Sequence, residues 1–169
     1  MPVPLEPERS VEVFHGDLIR VVVETWPEGA REIVRHPGAA AIVAFDDDDV
    51  VLIKQVRQSI RAETLEIPAG ILDVEGESAE ECAVRELREE TGYAAGEVER
   101  LGAVHTSLGF TDERIELFLC RAERGGGPED EGIEVVTMQF DDALDAVRGG
   151  RITDAKSAVA LLLARDRRR

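Results

Sequence analysis

Hydrophobic and polar residues alternate along the first third of the chain, a pattern typical of β-strands. Segments 11–13, 18–25 and 31–35 are rich in β-branched residues and are separated by turns that contain glycine or proline. Segment 39–45 is almost entirely apolar, which predicts a strand buried on both faces of a sheet. Segment 50–56 is also strand-like. The four consecutive aspartates between the last two segments therefore predict a hairpin turn, because the glycine and ligand spacing of a calcium loop are missing.

Between residues 77 and 92 the apolar positions follow the 3.6-residue period of an α-helix. Ser78 and Glu81 are spaced as a capping box at the start of this helix, and Gly92 is a typical left-handed stop at its end. The remaining predicted elements are strands at 101–107, 113–120 and 133–140, a mobile glycine-containing loop at 121–132, and helices at 141–148 and 154–165. This order predicts a mixed α/β protein whose helices pack on a mixed β-sheet.

Three carboxylates break the amphipathic pattern of the helix at 77–92. At about 100° per residue, Glu86 and Glu90 fall within its apolar stripe and Glu89 lies at the edge, while Arg85 and Arg88 point away. Like charges four residues apart repel by a few tenths of a kcal/mol, and a helix C-terminus disfavours anions by about 0.3–1 kcal/mol. A bound Mg²⁺ or Mn²⁺ would relieve both effects. A solvated acidic helix end is the alternative.

Composition excludes several classes of protein. The chain has 169 residues, 20 basic and 36 acidic, and a formal net charge of −16, which argues against a nucleic-acid-binding surface. Its two cysteines provide neither a disulfide framework nor a thiolate zinc cluster. No apolar segment approaches the roughly 20 residues of a membrane span, and residues 1–10 lack the plan of a signal peptide. We therefore expect a cytoplasmic protein with neither nucleic-acid nor membrane partners.

Segment 70–93, GILDVEGESAEECAVRELREETGY, resembles the Nudix box. The residues at the positions of the family pattern are Gly70, Glu77, Arg85, Glu86, Leu87, Glu89, Glu90, Gly92 and Tyr93. The segment departs from the pattern at one point, because six residues rather than five separate Gly70 from Glu77. The resemblance implies a Nudix hydrolase with an α/β/α sandwich around a mixed β-sheet.

Motifs outside the box resemble the ADP-ribose pyrophosphatase branch of this family. They occupy segments 51–57, 65–70, 109–113 and 129–134. The resemblance implies Mg²⁺-dependent hydrolysis of ADP-ribose to AMP and ribose 5-phosphate by a homodimer, with Mn²⁺ as a possible substitute. It also implies an N-terminal β-strand region, residues 1–38, that contributes to the dimer interface and the substrate pocket, followed by a Nudix domain at 39–169.

The same resemblance implies a role for each of the following residues. The metal ligands would be the carbonyl of Ala69 and the carboxylates of Glu86, Glu89, Glu90 and Glu131. The catalytic residues would be Glu89 and Glu129, with Glu129 as the general base. The substrate-binding residues would be Arg57, Glu66 and Glu113. Arg85 would orient the glutamates of the box and pair with Glu77.

Residues outside these motifs carry weaker predictions. Phe110 is a candidate cleft aromatic that binds substrate, and packing in the core is the alternative. His36 and His105 are expected at strand ends, and neither has another histidine at ligand spacing.

Two alternative functions remain open at this point. The first is a Nudix hydrolase of another nucleoside diphosphate derivative, such as a sugar nucleotide, a dinucleoside polyphosphate or a damaged nucleotide. The second is a nucleotide-sensing Nudix module without catalysis. The intact set Glu86, Glu89 and Glu90 argues against the sensor, because a sensor has no need of every cation ligand.

Overall fold

The computed structural model describes residues 6–129 and 132–167, which form two β-sheets and three helices. The N-terminal sheet is antiparallel, with strand order β1-β2-β3. Its strands are β1 (Arg9–His15), β2 (Arg20–Trp26) and β3 (Gly29–Arg35). They coincide with the three strand-like segments that alternation predicted for this part of the chain.

The second sheet has seven strands and is mixed. Its strands are β4 (Ala39–Asp46), β5 (Asp49–Arg57), β6 (Ala62–Glu66), β7 (Ala69–Ile71), β8 (Tyr93–His105), β9 (Arg114–Arg124) and β10 (Glu134–Gln139). The order is β10-β5-β4-β9-β8, with β6 paired to β5 and β7 paired to β4. Strands β4 and β9 are parallel, and the other pairs are antiparallel. The helices are α1 (Ala79–Thr91), α2 (Phe140–Arg148) and α3 (Ala155–Arg167).

Helices cover both faces of the second sheet. Ile42 and Ala44 of β4 belong to the core beneath α1, where they meet Leu87. Val43 and Phe45, which alternate with them, belong to the core beneath α2 and α3. The predicted α/β/α sandwich around a mixed sheet is therefore confirmed. None of the helices in the described part of the chain has the length and apolarity that a bilayer crossing requires.

The sequence signals at the ends of α1 act as predicted. The hydroxyl of Ser78 accepts a hydrogen bond from the N–H of Glu81 at 3.2 Å, and the carboxylate of Glu81 accepts one from the N–H of Ser78 at 2.8 Å. Gly92 ends the helix with φ of 75°, and its N–H donates to the carbonyl of Arg88. The aspartate run also forms the predicted hairpin, since β4 ends at Asp46 and β5 begins three residues later.

Two strand predictions were wrong in extent. Strand β8 begins at Tyr93 rather than at residue 101, and β9 continues to Arg124, so the predicted loop 121–132 begins only at residue 125. The pairing of β8 with β9 has two irregularities, which interrupt the alternation of side chains along β8. The sequence of β8 therefore lacks the period of two by which strands are predicted. Strands β6 and β7 were not predicted, because five and three residues are too few to establish a period.

Candidate active site

Two carboxylates of α1 lie against the strand β7, which pairs with β4 at the centre of the sheet. Glu90 is only 6% exposed, and its Oε2 accepts a hydrogen bond from the N–H of Ala69 at 3.0 Å. A Cβ added to Gly70 would lie 1.9 Å from Cδ of Glu86, so the carboxylate of Glu86 occupies the space that any side chain would need. Glu86 and Glu90 thus face the sheet, as the helical periodicity predicted.

Arg85 neutralises the other side of this cluster. Its Nε and Nη2 donate to the two carboxylate oxygens of Glu77 at 2.8 and 3.0 Å. Its Nη1 donates to Glu86 at 2.6 Å and to Glu89 at 3.0 Å. The hydrogen bonds with Glu77 raise the pKa of Arg85 and hold the pKa of Glu77 below its usual range. The side chain of Arg85 is 25% exposed. The predicted pairing of Arg85 with Glu77 is confirmed by these hydrogen bonds.

The donor chemistry of this cluster fits a hard divalent cation. Glu86, Glu89 and Glu90 offer carboxylate oxygens, and Ala69 offers a carbonyl on the adjoining strand, which is the oxygen-only set that suits Mg²⁺ or Mn²⁺. Within residues 6–129 and 132–167, no three acidic, histidine or cysteine side chains already have the geometry of a metal site. In this arrangement, Glu86 and Glu89 converge on the guanidinium of Arg85.

The segment that follows β9 is fastened to the C-terminus of α1. The N–H groups of Gly125 and Gly126 both donate to the carbonyl of Gly92 at 3.0 Å. A Cβ at Gly92 would lie 2.7 Å from backbone atoms of Gly126 and Gly127, so this close approach requires glycine in addition to the positive φ. The helix stop that the sequence indicated is therefore also the docking point of the loop.

The same segment carries Glu129, the predicted general base. Its N–H donates to the carbonyl of Glu89 at 2.7 Å, which places it beside the acidic end of α1. The carboxylate of Glu129 is exposed and lies 3.7 Å from Nε of Arg88. Glu131, the predicted additional metal ligand, lies outside the described residues.

A cleft of about 660 Å³ opens beside β7 and the N-terminus of α3. It is lined by three of the predicted substrate-binding residues, Arg57, Glu66 and Glu113, together with Ala69. Phe110 is not among its lining residues. The side chain of Phe110 is 56% exposed, so the alternative of packing in the core was wrong, and a role in substrate binding stays a prediction.

Glu66 is the centre of a buried ionic network in this cleft. It is 2% exposed, and its carboxylate accepts two hydrogen bonds from Arg57 at 2.8 and 2.6 Å and one from Thr64 at 2.6 Å. Lys156 of α3 also donates to it, and contacts Asp154 at 2.9 Å. Burial alone would raise the pKa of Glu66, but the hydrogen bonds from Arg57 and the charge of Lys156 lower it to about 2.

Sequence reasoning missed Lys156 because its partner lies far away in the chain. The N-terminus of α3 is held in place by Asp154, whose carboxylate accepts from the N–H of Ser157 at 3.0 Å. The hydroxyl of Ser157 in turn accepts from the N–H of Ile67 at 2.9 Å, which ties α3 to the residue after Glu66. The available signal was a lysine two residues after the N-cap aspartate Asp154, on the buried side of a helix.

We expect the stability lost in Glu66→Gln to depend on pH. Because the folded-state pKa of about 2 lies below the ordinary 4.5, ionised Glu66 stabilises the fold above about pH 4.5, and this contribution is lost as the pH falls towards 2. The variant should therefore be less stable than the parent near neutral pH, and the difference should narrow on acidification. Urea unfolding at about pH 7 and about pH 3 measures this. The control is Glu63→Gln, a substitution at an exposed neighbouring position. If the difference in unfolding free energy between Glu66→Gln and the parent is the same at both pH values, the lowered pKa of Glu66 is contradicted.

The chain belongs to the NUDIX family and has its fold. Residues 34–161 match the NUDIX domain. The chain is a hydrolase of this family. It is 40% identical to the ADP-ribose pyrophosphatase of Bacillus subtilis over 161 residues, which cover 89% of this chain and 86% of that protein. It is 37% identical to the GDP-mannose pyrophosphatase of Cronobacter sakazakii over 145 residues, covering 78% and 75% of the two chains.

A solved structure of an ADP compounds hydrolase has the same fold. It superimposes with a TM-score of 0.79, at 22% sequence identity, and the alignment covers 98% of this chain and 96% of the other. The alignment therefore extends well beyond residues 34–161, the range that matches the NUDIX domain.

Proposed function

We propose that this NUDIX hydrolase cleaves the diphosphate of ADP-ribose, with Mg²⁺ as its cofactor, to give AMP and ribose 5-phosphate. The observation that carries the proposal is the position of Glu86 and Glu90 of α1 against Gly70 and Ala69, two residues that line the same cleft as Arg57. The similarity to a bacterial ADP-ribose pyrophosphatase over most of the chain supports the choice of substrate. Mn²⁺, which takes the same oxygen ligands, is expected to replace Mg²⁺.

The metal ion would be held by Glu86, Glu89 and Glu90 and by the carbonyl of Ala69. When bound, it would neutralise the diphosphate and lower the pKa of a coordinated water. A bound cation would thus allow a chain of net charge −16 to bind an anionic substrate. We place Glu131 in this set as a further ligand on the strength of its position in the sequence.

The protein side chains would divide the remaining work. Arg57 is oriented by two hydrogen bonds to the buried carboxylate of Glu66, so its guanidinium is fixed at the wall of the cleft, where it can bind the diphosphate. Glu129 would take the proton from the attacking water as the general base. Its backbone contact with Glu89 supports this role, because it keeps the loop beside the acidic end of α1.

The second candidate substrate is a sugar nucleotide, which the 37% identity to a GDP-mannose pyrophosphatase favours. Initial rates with ADP-ribose, GDP-mannose, a dinucleoside polyphosphate and nucleoside triphosphates, each with and without Mg²⁺, test the proposal. ADP-ribose is expected to give the largest kcat/KM, with AMP as a product. A preference of about tenfold for any other substrate, equal to about 1.4 kcal/mol in the barrier, would overturn it.

We also propose that the N-terminal region, residues 1–38, forms a homodimer interface and contributes to the substrate pocket of the partner. Strand β1 is an edge strand with exposed apolar side chains at Val11, Val13 and Phe14, which is a surface that soluble proteins usually cover. Leu18 of this region already lines the cleft of its own chain. Light scattering is expected to give twice the chain mass of 18.5 kDa. A monomer at micromolar concentration would contradict the proposal.

A reducing compartment such as the cytoplasm is the proposed location. Cys82 and Cys120 are buried and unpaired. Burial raises the pKa of both thiols to about 12, which makes them poor nucleophiles and poor partners for disulfide exchange.

Gly70→Ala is expected to lower kcat/KM by about tenfold to a hundredfold while the chain still folds. The added methyl group would coincide with the carboxylate of Glu86 and force it to move, and a shift of about 1 Å at a reacting centre costs on this order. The control is Gly109→Ala, since nothing lies within 4 Å of a Cβ at that position. Steady-state kinetics over a range of Mg²⁺ concentrations measures the effect. Unchanged kinetics in Gly70→Ala would exclude Glu86 from the reaction centre.

A further inference from the structure

His36 lies on the wall of the cleft and has no role in the function proposed above. It follows β3 and precedes β4, whereas Glu113 immediately precedes β9. Because β4 and β9 are parallel neighbours with Ala39 opposite Ile115, the residues that come just before them meet at one edge of the sheet. His36, Glu113 and the metal-binding edge at Ala69 thus share a single cavity.

The hydrogen bonds of His36 define which ring nitrogen carries the proton. Its Nδ1 accepts a hydrogen bond from the N–H of Gly38 at 3.0 Å, so the neutral ring holds its proton on Nε2. Nε2 has no hydrogen-bond partner among the described residues. In that part of the chain, every buried polar side-chain atom has a hydrogen-bond partner. Because Nε2 has none, it belongs to the 12% of the His36 side chain that is exposed.

The carboxylate of Glu113 lies beside this ring. Its Oε2 accepts a hydrogen bond from the hydroxyl of Thr106 at 2.7 Å, and its Oε1 lies 3.7 Å from Nδ1 of His36. This part of the cleft therefore offers two polar groups, the carboxylate acceptor of Glu113 and the Nε2–H donor of His36, and the Nδ1 edge of the ring is the one nearer to Glu113. A phosphate would be repelled by Glu113, but a pair of hydroxyl groups can accept from the imidazole and donate to the carboxylate.

We propose that Nε2–H of His36 and Oε1 of Glu113 bind hydroxyl groups of the sugar esterified to the distal phosphate, which makes His36 a specificity-determining residue. This proposal rests on the proposed function. Among the described residues of one chain, none that lines the cleft is Phe, Tyr or Trp, so this chain offers a sugar its polar groups but offers a nucleobase no aromatic surface for stacking. The sugar would lie on the same side of the diphosphate as these polar groups, within the cavity that also contains Arg57.

His36→Asn tests the proposal, because it separates the two functions of the imidazole. The asparagine carbonyl can replace Nδ1 as acceptor for Gly38, whereas its short side chain cannot present a donor at the position of Nε2. We expect kcat/KM for ADP-ribose to fall by about tenfold, the usual loss for one hydrogen bond to substrate. The methyl ester of ADP keeps the diphosphate but lacks the second sugar, and its kcat/KM should change by less than about twofold.

Two further variants make the result decisive. Glu113→Gln keeps an acceptor for Thr106, and we expect the same loss confined to ADP-ribose. His105→Asn, at an exposed strand end outside the cleft, should behave as the parent enzyme. Equal losses with ADP-ribose and the methyl ester, or no loss in His36→Asn and Glu113→Gln, would overturn the proposal.

A different result would show that the proposed function is wrong while the role of His36 is still tested. If the parent enzyme does not cleave ADP-ribose but cleaves GDP-mannose, the function is wrong and the same comparison is made with GDP-mannose and the methyl ester of GDP. A selective loss with the sugar nucleotide would then still support the role of His36. Equal losses with that pair would overturn it.

Discussion

Glu90→Gln is expected to lower kcat by at least about 10³-fold while the protein remains folded. The carbonyl of the glutamine side chain can still accept the hydrogen bond from the N–H of Ala69, so the buried contact that holds this position is kept. What is lost is the negative charge that a divalent cation needs from its ligand. The variant therefore separates the structural contact from the proposed metal ligand.

The measurement is kcat at saturating ADP-ribose, together with calorimetric titration of Mg²⁺ into the parent and the variant. Glu80→Gln is the matched control, because Glu80 lies on the same helix with its side chain exposed. Equal Mg²⁺ affinity in Glu90→Gln and the parent, or a loss of kcat below about tenfold, would remove Glu90 from the metal site. If Glu90→Gln loses thermal stability as well as kcat, the substitution damages the core and the loss of kcat has a structural cause.

Glu129→Gln is expected to lower kcat by about 10²–10⁴-fold with little change in KM, the range for removal of a general base. The backbone bond from Glu129 to the carbonyl of Glu89 does not involve the side chain, so the loop should stay attached to α1 in the variant.

Rapid-quench measurements of single turnovers, with Glu123→Gln as a control at an exposed position of β9, distinguish chemistry from binding. An unchanged single-turnover rate would assign the base to another acid of the loop, with Glu131 as the first to test. A rise in KM without a change in kcat would make Glu129 a substrate-binding residue instead.

The acidic helix was predictable because its signals are local. These signals all lie within the few turns of α1. They are the capping box at Ser78, the stop at Gly92, and the carboxylates of Glu86 and Glu90 within the apolar stripe. The periodicity that places them on one face is a property of the helix alone. The structure adds what periodicity cannot contain, namely that Gly92 is also the docking point of the loop after β9.

The cleft was less predictable because its contacts join distant segments. Glu66 and Lys156 are 90 residues apart, so neither position carries a sign of the other in the sequence. His36 was expected only as a strand-end residue, which it is. Its position in the cleft depends on the parallel pairing of β4 with β9, which no local pattern encodes. Residue type and spacing predicted a chemistry for the site, whereas the tertiary pairing of distant segments determines which residues form its walls.

The attachment of α3 to the residues after β6 has a consequence for biosynthesis. The Nudix box and the strands that carry it leave the ribosome well before Lys156 and Ser157, which complete the ion network and the hydrogen bond to Ile67. Until then, the carboxylate of Glu66 faces water with Arg57 as its charged partner. The nascent chain thus carries the proposed acidic ligands while its cleft is still open on one side, and the later synthesis of α3 closes that side.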